Sequence, residues 1–392
     1  MSNVVIVDVV RSIMGRGKPG GALSGLHPAD LLAGVLTGLI DRSQFDPGLV
    51  DDVLVGCVNQ SGEQSATPGR QAWLSAGYPE HVPSVTIERK CGSGQQALDF
   101  ALWGVAAGAY DIAIAAGVES MSRVPMGSAS MGRDPQGPGV RARYPDLVSQ
   151  GVAAELVADR WALSRAQLDE YSARSHELAS ETADRGGFDN EIVPLTVDDQ
   201  TRATDESIRR GTTAEKLAGL APVFGTDAHR ERYPDLDWKV TAGNSSQITD
   251  GASALLVMSE DKAKALGLRP RARVVASAVV GSDPVMMLTG PIDATHKALS
   301  RAGLGVHDLD VVEVNEAFAS VPLMWQAEFG VKNERLNPAG GAIALGHPLG
   351  ASGCRLMTTM INQLEQRGGR YGLQTMCEAG GMANATIIEL IN

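Results

Sequence analysis

Cys91-Gly92-Ser93-Gly94-Gln95-Gln96-Ala97-Leu98 and Ala351-Ser352-Gly353-Cys354-Arg355-Leu356-Met357 are the stretches whose reading decides the fold. In each, a Ser-Gly pair opens a helix. The first helix carries Leu98, Ala101, Leu102 and Val105, and the second Met357, Met360, Ile361 and Leu364. Both sets are apolar positions at i, i+3, i+4 and i+7, one face of a helix. Gly108 and Gly368 stand where the two helices should stop. A short apolar strand follows each, 112–116 ending at Gly117 and 373–376 ending at Cys377.

Outward from these stretches the match continues. In the first half 4–10 reads as a strand, 29–39 as a helix and 53–56 as a strand ending at Cys57. In the second, 273–280, 292–299 and 311–314 repeat that order and end at Asn315. Each half is strand–helix–strand–helix–strand, with strands apolar enough to be covered on both faces. The expectation is an α/β protein of two duplicated halves whose strand ends and helix N-termini share one crevice. Between them 122–242 breaks the pattern with a Gly-, Pro- and Arg-rich loop, a helical stretch over 151–185 and more polar loop. An insertion on a rigid scaffold is a natural place for a ligand lid, a passive appendage being the alternative. The expected division is 1–121 (completed by about 243–268), 122–242 and 269–392.

The 392 residues carry 34 Lys and Arg against 46 Asp and Glu, a formal charge of −12. An acidic chain without a basic cluster argues against nucleic acid or an anionic membrane as partner. Arg202, Arg209 and Arg210 form its densest cationic group. No run of about 18 apolar residues is present. Neither a basic leader with a cleavage site nor a C-terminal address is visible, so a cytoplasmic protein is expected. The four cysteines lack CxxC spacing and read as free thiols, and the seven histidines lack metal-binding spacing, so no metal is expected.

Cys91 follows a strand over 85–87 and precedes a helix, where N-terminal amides favour a thiolate. A lone cysteine is ordinarily a small buried hydrophobe, but Gly92 and Gly94 leave room for a ligand beside this one. The segment 92–97 also fits the dinucleotide pattern GxGxxA. The acidic residue should then end the next strand, whereas Asp111 precedes it, and the nicotinamide reading fails. His347 sits among small residues and can take the Cys91 proton. Cys377 suits proton transfer at a carbon α to a thioester, which simple acyl transfer does not need. Asn315 and Glu316 end a buried strand, a position that points into the ligand crevice, with an Asx turn as the alternative. Cys57 and Cys354 read as core.

Together these segments resemble the thiolase family over essentially the whole chain. The resemblance rests on Cys91-Gly92-Ser93-Gly94, Gly117-Val118-Glu119-Ser120-Met121-Ser122, and Thr241-Ala242-Gly243-Asn244-Ser245-Ser246 with Asp250-Gly251-Ala252. Asn315-Glu316-Ala317-Phe318, the glycine-rich run 340–353 around His347 and the Cys377 loop complete it. It implies a five-layered α/β/α/β/α fold with an inserted loop domain over the coenzyme A site. It also implies that Cys91 attacks the 3-keto carbon of a 3-oxoacyl-CoA once His347 has taken its proton, and that Cys377 protonates the departing acetyl-CoA enolate. A second coenzyme A thiol then attacks the acyl-enzyme. His347 and a water held by Asn315 stabilise the enolate oxygen. The backbone N–H groups of Cys91 and Ala379 form a second oxyanion hole, each donor worth about 3 kcal/mol. Ser246, Ala242 and Phe318 resemble the pantetheine channel, and Arg209 and Phe224 the nucleotide end.

The resemblance further implies coenzyme A as co-substrate, no permanently bound cofactor, and a homodimer or dimer of dimers with the 125–145 loop as an assembly element. The sequence departs from the family at Glu88, where Asn is common, and at Ala379 and Ala383, where Gly is usual. A longer segment over 226–239 is another departure. These features, with Gly62-Glu63-Gln64-Ser65 and Gln95-Gln96, look most like actinobacterial degradative thiolases, including those of sterol breakdown. The rival readings are a biosynthetic acetoacetyl-CoA thiolase and a catalytically silent coenzyme A-binding protein. A decarboxylating condensing enzyme would not need Cys377. If Cys91 and His347 work as a pair, inactivation by iodoacetamide should stay fast well below pH 8, whereas a profile rising only near pH 8.5 would count against activation.

Overall fold

A computed structural model describes residues 3–391. Met1, Ser2 and Asn392, the outer ends of the first and last expected segments, lie outside the described residues. The strands are β1 (Val4–Arg11), β2 (Gly15–Arg16), β3 (Asp52–Gly56), β4 (Ser84–Ile87), β5 (Ile112–Ser120) and the small hairpin β6 (Leu195–Val197) and β7 (Gln200–Arg202). The second half adds β8 (Thr249–Ser259), β9 (Ala272–Gly281), β10 (Val311–Val314), β11 (Tyr371–Glu378) and β12 (Met382–Leu390).

The duplication is written in the pairing. One run of strands is ordered β4-β3-β5-β8-β1 and the other β10-β11-β12-β9. In each, a parallel pair (β3 with β5, β10 with β11) is followed by antiparallel neighbours. The place of β4 is taken in the second half by a parallel bridge from Val312 to Leu336. β1 and β9 join the runs at one corner, through Val5 with Arg273 and Ile6 with Ala272.

Side-chain alternation turns these sheets into five layers, because successive residues of a strand face opposite sides. On β5, Ile112, Ile114 and Ala116 face one cluster with the Pro28–Ser43 helix, while Ala113 and Ala115 face another. That second cluster is the middle layer. It holds Leu98, Ala101, Leu102 and Val105 of the Ser93–Ala106 helix against Met357, Met360, Ile361 and Leu364 of the Ser352–Arg367 helix. On the far side Val312, Val314, Ala385 and Ile387 pack with Ala294, Ala298 and Leu299 of the Gly290–Ala302 helix. The expected α/β/α/β/α arrangement is present.

Three boundaries differ from the sequence reading. β5 runs on through Gly117 to Ser120, and Cys377 lies inside β11 rather than after it. The helical stretch expected over 151–185 is two helices, Gln150–Arg160 and Arg165–Asp184. They are separated at Ala162, whose φ of 50° is left-handed, and the second opens on a Ser164/Gln167 capping box. Among the described residues no helix is long and apolar enough to cross a membrane.

Candidate active site

Cys91 stands on a strained elbow between β4 and the middle-layer helix. Lys90 before it has a φ of 47°, a left-handed value, and Gly92 caps the helix. The Ser93 hydroxyl ties the elbow, donating to the Lys90 carbonyl at 2.6 Å and accepting from the Arg89 N–H at 2.9 Å. The cysteine itself is only 3% exposed and packs on Leu349, Leu356 and Met376, all from the second half.

His347 reaches the same place from a loop that the first half holds. The Gly350 carbonyl is pressed against Gly56, Gly94 and Gly117, where a Cβ would lie 2.6, 2.6 and 2.1 Å from that oxygen. Glu119 accepts from the Gly350 N–H at 2.9 Å and from the Val58 and Asn59 N–H groups at 3.0 Å each. Glycines in three separate motifs thus serve one close approach.

The hydrogen bonds assign the imidazole tautomer. With the Ser352 hydroxyl donating to the Pro348 carbonyl at 2.8 Å, its oxygen accepts from His347 Nδ1 at 2.6 Å. Nε2 is then unprotonated, and the Asn315 side-chain N–H donates to it at 3.3 Å. Burial, with Arg355 nearby, pushes the imidazole down to about 3. Burial, then the carboxyl of Glu378, pushes the Cys91 thiol up to about 12. Opposing these, the backbone N–H groups of Cys91 and Ala379 and the Gln150 side chain favour the thiolate. Desolvation outweighs the helix N-terminus, so the resting pair is thiol and neutral imidazole. The thiolate that the helix N-terminus favours is in this arrangement opposed by burial.

Cys91 and His347 line one cavity of about 180 Å³ with Ser246, Phe318, Phe224 and Ala317. Phe224 and Phe318 meet edge-on at 6.0 Å. Arg209 sits exposed outside it, its guanidinium 3.4 Å from Gln247, which lines the wall. Ala242 is exposed and does not line this cavity. Of the cationic group, Arg210 is paired with Asp184 at 2.6 Å. A second cavity of 330 Å³ is also lined by Cys91 and includes Ala379. A third, of 630 Å³, shares Pro135, Gln150 and Ala379 with it and is lined by Val140, Tyr144, Leu147, Val148 and Met287 among others. Gln150 alone lines all three, a residue the sequence reading missed. It lies in the inserted segment, remote in sequence from every motif that pointed to the site.

Cys377 is fully buried and lines none of these three cavities, yet a charge on Cys91 raises its own pKa, which burial already raises. The turn that follows, with φ of 90° at Gly380 and 77° at Gly381, leaves Ala379 outside the left-handed region, so Ala is accommodated there with its N–H turned to the Cys91 sulfur. Glu316 does not point into the crevice. Fully buried, it accepts from Tyr171 at 2.9 Å, Ser175 at 2.7 Å, Asn337 at 3.0 Å and the Ile343 N–H at 3.0 Å, fastening the Arg165–Asp184 helix to the His347 loop. Cys57 and Cys354 are buried, and all four cysteines are free thiols.

This fold, with a buried thiol that shares a cavity with a neutral imidazole and a second thiol electrostatically coupled to the first, defines a class of cysteine-dependent acyl-transfer proteins built on a duplicated α/β scaffold. Two family models match, Thiolase, N-terminal domain, over residues 4–261 and Thiolase, C-terminal domain, over 268–390. The chain belongs to the thiolase family. Steroid 3-ketoacyl-CoA thiolase FadA6 of Mycobacterium tuberculosis is 46% identical, over 99% of this chain and 94% of that one. The 3-ketoacyl-CoA thiolase of Vibrio cholerae is 45% identical, over 99% and 100%. The acetyl-CoA acetyltransferase of Bacillus anthracis superposes with a TM-score of 0.88 at 36% identity, over 100% of this chain and 99% of that one.

Proposed function

We propose that this protein is a 3-ketoacyl-CoA thiolase working in the degradative direction. The observation that carries the reading is that Cys91 and His347 open on one cavity while the Ala379 N–H is turned to the same sulfur. His347 Nε2 takes the Cys91 proton as the sulfur adds to the 3-keto carbon, and the N–H groups of Cys91 and Ala379 receive the oxyanion. The C2–C3 bond then breaks to leave an acyl-enzyme. Asn315 and His347 hold the enolate oxygen of acetyl-CoA while Cys377 delivers a proton to its carbon. Coenzyme A, a co-substrate rather than a resident cofactor, gives its thiol proton to the Cys377 thiolate and attacks the acyl-enzyme, and the departing Cys91 sulfur recovers its proton from His347.

Ser246 and Phe318 line the pantetheine arm in this reading, with Phe224 toward the nucleotide. Arg209 supplies a cation to the phosphates. The acyl group extends from Cys91 through the 330 Å³ cavity into the neighbouring 630 Å³ lined by Val140, Tyr144, Leu147 and Met287, which suits a long or ring-bearing acyl chain. The name of the Mycobacterium relative agrees with a steroid-derived one. We assign residues 1–121 with 243–268 and residues 269–392 to two catalytic halves, and 122–242 to the domain that covers the coenzyme site. We assign the protein to the cytoplasm and to a homodimer, formed through the free edge of β4.

The test is coenzyme A-dependent loss of 3-oxoacyl-CoA across short, long and steroid-derived substrates, for wild type and Cys91→Ala. Turnover of bulky substrates that vanishes in the variant is the expected result. Turnover confined to acetoacetyl-CoA would favour a biosynthetic enzyme. No turnover by folded protein that binds coenzyme A would favour a silent binder.

A further inference from the structure

Glu378 follows Cys377 in β11 and faces the other way, into the elbow that carries Cys91. A Cβ built on Gly92 would lie 1.9 Å from Glu378 Oε1, so the carboxyl is seated directly against the turn. Asn384 of β12 donates to that oxygen at 2.8 Å. The residue is fully buried, and its second oxygen has no hydrogen-bond partner. A carboxylate with one neutral donor and no partner for its other oxygen is an expensive thing to bury, whereas a neutral carboxyl is not.

The charges around it leave no surplus cation. Glu88 and Arg89 face it from the segment before the nucleophile, Asp99 from the Ser93–Ala106 helix, and Cys377 and Cys91 are the titratable thiols beside it. Glu88 is paired with Lys90 at 3.0 Å. Among the described residues that leaves Arg89 as the cation that acts on two buried carboxyls, Glu378 and Asp99. The Nε of Arg89 and Asp99 Oδ2 lack hydrogen-bond partners as well. One guanidinium balances one carboxylate, and the second carboxyl keeps its proton. Burial raises Asp99 to about 7 and Glu378 to about 8, Arg89 opposing the rise in both.

We propose that Glu378 is a positioning residue that sets how readily Cys91 gives up its proton, neutral in the working enzyme and a brake on thiolate formation once ionised. The inference rests on the reading of Cys91 as the nucleophile. The carboxyl needs no contact with substrate. A negative charge under the Cys91–Gly92 turn opposes a second negative charge on the sulfur and cancels what the helix N-terminus offers. Glutamine reproduces the neutral form, since its carbonyl can accept from Asn384 as Oε1 does.

The test is carbamidomethylation of Cys91 by iodoacetamide, followed by peptide mass spectrometry from about pH 6 to about pH 9.5, which reads the thiolate without requiring turnover. In wild type the logarithm of the rate should rise with pH and bend to a shallower slope above about pH 8. Glu378→Gln should show no bend, matching wild type below pH 7 and reacting about tenfold faster at the alkaline end, the equivalent of one unit of thiol pKa. Asp99→Asn removes the charge that keeps Glu378 protonated, so its bend should move to lower pH. Identical profiles for wild type and Glu378→Gln would overturn the proposal. So would a Glu378→Gln rate that is lower by one constant factor at every pH, as loosened packing would produce. Should Glu378→Gln fail to fold, an unmoved bend in Asp99→Asn overturns the proposal by itself. Failure of the thiolase reading is a separate result, seen as turnover that survives Cys91→Ala.

Discussion

One hydroxyl decides which nitrogen of His347 is the base. Ser352 has a single proton, and with that proton on the Pro348 carbonyl its oxygen is left to accept from the ring. In that arrangement Nδ1 carries the hydrogen, and Nε2 faces Asn315 as a lone pair. Ser352→Ala frees the ring to adopt the other tautomer, in which the base is unavailable. Turnover should fall roughly a hundredfold, within the range of a misplaced general base, with little change in thermal unfolding. Turnover equal to wild type would show that Ser352 only packs. The acid limb follows from the same site. An imidazole depressed to about 3 stays neutral down to that pH, so its protonation should not limit kcat/KM between pH 5 and pH 8. A limb with an apparent pKa near 6.5 would mean that the ring is solvated in the working enzyme. Cys91 and His347 were legible in the sequence because glycine frames left no other use for them. Glu378 and Gln150 were not, because only folding brings a β11 carboxyl and an inserted-segment amide to the nucleophile.

At the scale of elements, the glycine motifs proved to be packing signals as much as ligand signals. Gly56, Gly94 and Gly117 belong to β3, to the middle-layer helix and to β5, and all three clear space for the Gly350 carbonyl. The helical periods at 98–105 and 357–364 were readable because a buried helix face repeats every 3.6 residues. The end of β5 was not, since Gly117 looks like a stop and is instead a contact inside the strand. Glu316 was misread for a related reason: its partners Tyr171, Ser175 and Asn337 lie far along the chain. The packing role is testable. In Gly117→Ala the new methyl meets the Gly350 carbonyl at 2.1 Å and the Ala351 Cα at 2.7 Å, both backbone, so the His347 loop has to move. Unfolding stability should drop by about 1–3 kcal/mol, and turnover should fall with it. Gly281→Ala, with nothing within 4 Å of the added carbon, serves as the control and should behave as wild type. Full activity in Gly117→Ala would show that the loop has slack.

Among the described residues, the large sheet has one edge strand whose outer side its own fold leaves unpaired. β10 ends one side of the sheet, shielded by the Val312–Leu336 bridge, and β4 ends the other. On β4 Val85 is 42% exposed, and on the adjoining helix Phe100 and Trp103, themselves in edge contact at 5.6 Å, are 40% and 47% exposed. An apolar edge strand beside two exposed aromatics is a surface that monomers avoid, and it invites pairing with a second copy. The nucleophile elbow begins where β4 ends, so closing this edge also buttresses Lys90 and Cys91. Wild type should therefore sediment at about twice its chain mass of 41.1 kDa. Val85→Lys with Trp103→Glu places charge on both parts of the surface and should shift the protein toward the single-chain mass. Turnover should fall as the dimer dissociates, and both should recover together as protein concentration is raised. A double variant that keeps the larger mass would put the interface elsewhere. A fully active monomer would separate the catalytic elbow from assembly.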